Sequence, residues 1–147
     1  MALAGLGRLQ WYHEPKNAVE AERRFRQNLE ISEAIGDITA QVKMHSLLGA
    51  CALEKSSVDE ALTHYERSLE LAGDLNDRCF AAAGLLRCYQ RQERIDPFEA
   101  TARRLSEWIG SDKIPLDCKN QLLAVLTPCC GENGSEAIRQ LLACVQR

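Results

Sequence analysis

The side chains that could carry catalysis or hold a metal are few in this chain, and their spacing suits neither task. There are three histidines, His13, His45 and His64. None forms an H-E-x-x-H or similar pair that would bring two imidazoles to one metal from a single helix. His13 falls in a turn, and His45 and His64 fall on two different helices, where surface or partly buried positions are expected. The chain contains no G-x-S-x-G elbow and no Gly-rich phosphate loop, and GENGS at 131 reads as a turn before a helix. That turn holds the acceptor pattern Asn133, Gly134, Ser135, which would go unused in a cytosolic protein. Carboxylates alternate with Lys and Arg along helical faces, as solvated faces do. The expectation is a protein that is not an enzyme, with no catalytic residue, no metal site and no cofactor.

Composition narrows the remaining classes. The 147 residues are 46% hydrophobic, enough for one domain with a real core. No apolar run reaches the roughly 18 residues of a membrane span, and MALAGLGRLQWY lacks the basic start and cleavage pattern of a secretory leader. The net charge is −3, with 18 basic residues interleaved among 21 acidic ones, so no strong field favours nucleic acid or a membrane surface. Seven cysteines, an odd number without a C-x-x-C pair, sit mostly among Ala and Leu. Such thiols behave as small buried hydrophobes in a reducing compartment, which suits the cytoplasm or the nucleus. Only the adjacent Cys129 and Cys130 stand out, and neighbours in sequence form a disulfide only under strain.

The elements that must position any functional side chain are visible through repetition. NAVEA at 17, SVDEA at 57, DPFEA at 96 and NGSEA at 133 share one shape, a polar cap with Glu three residues later and then Ala, at spacings of 40, 39 and 37 residues. With Asn17, Ser57, Asp96 and Asn133 as caps and Glu20, Glu60, Glu99 and Glu136 reaching back, each is a capping box that starts a helix. Pro97 fits directly after the third cap. Asp37, Asp77 and Asp117 recur 40 residues apart after AIGD, GDLND and SDKIPLD and read as caps of partner helices. In those partners LLGAC at 47, LLRCY at 85 and LLAVL at 122 hold the same place, with LGRL at 6 as their counterpart.

Apolar periodicity agrees. Val42, Leu47, Leu48 and Cys51 make one helical stripe, and Val58, Ala61, Leu62, Tyr65, Leu69 and Ala72 another. Gly7, Ala21, Gly49 and Ala61 would let antiparallel helices approach closely, while Tyr65 and Phe25 fill the space between hairpins. Helices are therefore predicted at about 2–12, 18–35, 38–54, 58–74, 78–93, 97–109, 117–127 and 135–146, with no strand. A period near 40 residues is that of helical hairpins stacked as a solenoid.

These residues resemble the tetratricopeptide repeat family in its longer-period form, seen in kinesin light chains and spindle-orientation adaptors. Leu48, Gly49, Ala61, Tyr65 and Ser68 carry the pattern in the second repeat. The first repeat follows it with an insertion around Pro15. The third and fourth depart from it: Arg87 stands where Gly is expected, Arg104 replaces the aromatic, and Pro128 cuts the last first-helix short. The resemblance implies an all-α, right-handed superhelix of about four antiparallel helix pairs, with repeats at about 2–36, 37–76, 77–115 and 116–147. Met1 runs almost directly into LAGLGRL, the start expected of a domain excised from a longer array.

What the family implies about function is an adaptor or scaffold that binds a peptide or helix of another protein in a concave groove built from first helices. Its groove positions fall here on Arg8, Trp11 and Tyr12, on Lys43, Ser46, Ala50 and Glu54, and on Ala81, Gly84, Cys88 and Arg91. Trp11 beside Tyr12 and Arg8 has hot-spot composition; the alternative is that Trp11 packs under the preceding repeat or the second helix. The Lys and Asn clamp of the chaperone-binding branch is missing, since Ala4, Arg8, Ser46 and Ala50 occupy its places. The small residues Ala50, Ala81, Gly84 and Cys88 would leave a floor wide enough for an apolar helix. The alternative is a structural segment of a larger repeat protein with no ligand groove, whose open first repeat offers an edge for self-association.

Overall fold

A computed structural model describes residues 15–129 and 135–146. The helix expected at 2–12 and the cap at Asn133 lie outside them. Seven α-helices follow one another: α1 (Pro15–Ile35), α2 (Ile38–Glu54), α3 (Val58–Leu71), α4 (Leu75–Arg91), α5 (Ile95–Ile109), α6 (Leu116–Leu126) and α7 (Glu136–Gln146). A 3₁₀ turn, Thr127–Cys129, ends α6, and no strand occurs among the described residues. The all-helical class is as expected from the sequence.

Several helix starts differ by two or three residues from the expected caps, for local reasons. Asp37 caps α2 as expected, accepting from Ala40 N at 3.1 Å. The cap of α4 is Asp74, which accepts from Asp77 N at 2.8 Å, so Asp77 lies in the first turn. Asn17 lies inside α1, which opens on Pro15. The insertion expected around Pro15 is therefore the first turn of a helix, a position where proline's missing donor costs nothing. Asp96 and Pro97 lie in the first turn of α5 behind Arg94, and Asp117 in the first turn of α6 behind Pro115. At α7 it is the Ser135 hydroxyl that accepts from Ile138 N, at 3.3 Å.

Ser57 does precede α3, but its side chain makes no cap bond. Its N–H is already given to Ala52 O at 2.8 Å, which leaves Glu60 nothing to reach back to. Glu60 accepts instead from Arg26 of α1 at 2.9 Å. The Ser57 bond belongs to a Schellman closure: Ser56 N bonds to Leu53 O at 3.0 Å, with Ser56 at φ +61°. Gly36 (φ +75°) ends α1 in the same way and Glu93 (φ +56°) ends α4. These two- and three-residue connections turn the chain back on itself and make consecutive helices antiparallel neighbours.

Helix α4 is central. It packs on α3 and α5 and also on the next-but-one helices α2 and α6. Because it is covered from so many sides, its buried residues are mostly small: Cys79, Ala81, Ala82, Ala83, Gly84 and Cys88 with Leu85 and Leu86. One core cluster joins Cys79, Ala82, Ala83 and Leu86 to α5, α6 and α7, and the other joins Leu85 and Cys88 to α2 and α3. The closest approach involves Tyr65 of α3, 2% exposed, whose ring lies between Gly49 of α2 and Gly84 of α4. A Cβ on Gly49 would sit 2.8 Å from Tyr65 Cε2, and one on Gly84 would overlap Cε1 from the other side. The ring cannot shift away from either glycine without striking the other.

Gly84→Ala is therefore expected to lower stability by about 2–3 kcal/mol, and a Tyr65→Leu background should remove most of that loss, as read by urea denaturation of the double-mutant cycle. Glu93→Gly acts in the opposite sense: relieving a left-handed backbone at a non-glycine residue should raise stability by about 0.5–1 kcal/mol in the same assay.

Candidate functional site

Of the residues expected to line a partner groove, Arg8, Trp11 and Tyr12 lie outside the described residues. On α2, Lys43 and Glu54 are exposed and Ala50 is half-buried. Ser46 is turned toward α3. Its hydroxyl meets Ser68 Oγ at 2.8 Å, and Ser68 in turn donates to Val42 O at 2.9 Å. Arg91 is committed to structure, its Nη1 donating to Leu53 O at 2.6 Å. The neighbouring Gln90 donates to Val125 O at 3.3 Å. The last turn of α4 thus adds side-chain donors to carbonyls near the ends of both α2 and α6. Ala81 and Cys88, expected as a groove floor, are 0% exposed, and Gly84 is the seat of Tyr65. They are core rather than binding surface, because the helix that carries them is packed on more sides than a repeat pattern reveals. Arg87, in the expected place of a glycine, donates to the Tyr65 hydroxyl at 3.1 Å.

A different surface has the composition of a binding site. Helices α3 and α5 both pack on α4 but scarcely touch each other, whereas α5 and α7 pack directly. The gap holds a groove of about 620 Å³. Leu69 of α3, Ala72 just after that helix, Leu85 and Tyr89 of α4 and Trp108 of α5 supply its apolar surface, and Thr101 of α5 also lines it. Glu66 and Glu70 stand along the α3 wall, with Arg104 of α5 and Arg78 from the start of α4 opposite. Both arginines stack on the Trp108 ring, with the Arg104 and Arg78 guanidinium carbons 4.9 and 5.5 Å from its centroid. Among the described residues neither has a carboxylate within ion-pair distance, whereas Glu70 accepts from Arg67 at 3.2 Å. One part of this site was readable in sequence: Arg104 and Trp108, four residues apart, must share a helix face. Arg78, Tyr89 and Glu66 reach it only through the packing of three helices.

The two histidines assigned to separate helices meet. His45 Nδ1 and His64 Nδ1 are 3.2 Å apart between α2 and α3, with ring centroids at 5.4 Å. The nitrogens point at one another head-on, the arrangement of an N–H···N bond rather than of two lone pairs converging on a metal. No group of three or more possible metal ligands occurs among the described residues. Burial pushes both histidines below their ordinary 6.5, with His64 and Arg67 also lowering His45 while Glu33 opposes. Around His64, Glu60 and Glu22 oppose the burial effect while Arg26 and Lys55 reinforce it. Burial pushes the Cys51 thiol up to about 12 and the Cys88 thiol up to about 11, which disfavours the thiolate at both. Cys118 is raised by its hydrogen bond with Cys79 and by burial.

No protein-family model matches the chain, and no curated protein or solved structure matches it.

The histidine pair yields a pH dependence. Both rings are neutral in the fold, and the unfolded chain takes up protons first as pH falls below about 6.5. Folding stability is therefore full above that value and lost progressively as pH drops toward the lowered folded values. Urea midpoints measured from pH 7.5 to 5 should fall more steeply in the wild type than in a His45→Gln, His64→Gln variant.

Proposed function

We propose that this chain is a protein-binding module, an adaptor or scaffold of tetratricopeptide type, whose partner seats in the groove between α3 and α5. The observation that carries this reading is the pair of guanidiniums held on Trp108 at the groove wall without a carboxylate of their own. Arginine and tryptophan are the side chains that dominate interface energetics, and they do so where a pocket lets them be desolvated. A groove of about 620 Å³ is large enough for several side chains of a partner. The exposed α2 residues Lys43 and Glu54 are the other surface to weigh, as the family resemblance implies.

A second reading is favoured by one observation. Val19, Ile31 and Ile35 of α1 and Ile38 of α2 are 47 to 72% exposed, an apolar edge of the kind that stacks a further hairpin or a second copy.

Capture of partners from cell extract distinguishes these surfaces when wild type is run beside Trp108→Ala and beside a Lys43→Glu, Glu54→Lys variant, each first shown to be folded by circular dichroism. The groove reading expects a partner whose recovery falls at least tenfold with Trp108→Ala and is unchanged in the α2 variant. The reverse pattern moves the site to α2. A chain that captures nothing but sediments as a dimer, and as a monomer after Ile31→Glu and Ile35→Glu, is the structural segment of the second reading.

A further inference from the structure

The charges along the groove are segregated, and this defines the partner more closely. We propose, building on the interaction reading, that the groove seats an amphipathic helix with oppositely charged flanks, acidic toward α5 and basic toward α3. The α3 wall presents Glu66 and Glu70 one turn apart, and the opposite wall presents Arg78 and Arg104, both held against Trp108. Leu69, Ala72, Leu85 and Tyr89 lie between the two rows.

The balance of two carboxylates against two guanidiniums decides the chemical class. A nucleic acid or a phosphate dianion attracted to the arginines would meet Glu66 and Glu70 across the same groove, and like charges facing one another weaken binding. A segment with both signs satisfies both walls. On the basic side, guanidiniums already stacked on an aromatic ring lose little freedom when they take a carboxylate in the two-pronged geometry that arginine favours. On the acidic side, Glu66 has no ion pair among the described residues, and Glu70 has only the exposed Arg67 beside it.

The shape favours a helix over an extended strand. The groove runs between two helices resting on a third, from Thr101 to Trp108 along α5, about two helical turns or roughly 10 Å. It leaves open between α3 and α5 an interval of the kind that direct contact closes between α5 and α7. An incoming helix there packs as one more helix of the bundle, with its apolar stripe on Leu69, Leu85 and Trp108 and its two flanks against the charged walls.

The test is selection of a phage-displayed library of random 16-residue peptides on the whole chain, followed by binding of the synthetic winners by fluorescence anisotropy. Winners are expected to show an apolar stripe at helical spacing, with Asp or Glu on one flank and Lys or Arg on the other. Their affinity should drop about tenfold or more with the exposed Arg104→Glu alone, and should weaken as salt is raised. Reselection on an Arg78→Glu, Arg104→Glu variant should return peptides whose acidic flank has become basic, a gain that misfolding cannot produce. Winners that lack acidic residues, or that bind the Arg104→Glu variant unchanged, yet are lost with Trp108→Ala, overturn the partner chemistry and leave the interaction groove standing. No winners, or winners indifferent to Trp108→Ala as well, overturn both.

Discussion

The Tyr65 ring held between two glycines is the constraint on which the arrangement of helices depends. The absence of a side chain at Gly49 and Gly84 lets α2 and α4 close on the Cε2 and Cε1 edges of this ring. The ring also pins α3 to both of them, because Arg87 of α4 reaches its hydroxyl. One side chain thus sets the spacing of three helices. Close-packed interiors transmit such a setting, since neither glycine position can take even a methyl group without displacing the ring.

The same crowding explains why α4 is built of small residues and why its last turn makes long-range hydrogen bonds. With α2 and α6 drawn against opposite sides, Gln90 and Arg91 lie within reach of the carbonyls that end both helices. Next-but-one contacts close α2 on α4, α4 on α6 and α5 on α7, while α3 and α5 stay apart and leave the groove that Trp108 and its two arginines line. Core and candidate site are therefore consequences of one packing choice.

Much of the fold was legible because helix signals are local. Alternating stripes, caps and stop residues lie within a few positions of one another, so the number and order of the described helices could be read directly. Two departures from the capping pattern, at α3 and α5, have their cause in the preceding helix. A capping box assumes that the cap N–H is free, and at Ser57 the preceding helix had already taken it through a Schellman closure. At α5 the Glu93 turn ends so tightly that the helix starts ahead of Asp96. A pattern scored on one helix cannot register what the previous helix does with its last carbonyls.

The candidate site was much less legible. Ala81, Gly84 and Cys88 look like a groove floor because small residues on a first helix permit a partner to approach. The partner that approaches is Tyr65 of the same chain. His45 and His64, far from any ligand spacing in sequence, are brought together by the α2–α3 pairing. Arg78 and Glu66 face the groove only because α4 lies between α3 and α5. The amino-acid sequence by itself determined where the chain is helical, where it turns and which residues avoid water, since these rest on backbone hydrogen bonding and hydrophobicity within single elements. Only the tertiary structure decided which helix faces are shared and which are left open, because that depends on the simultaneous fit of side chains from segments dozens of residues apart.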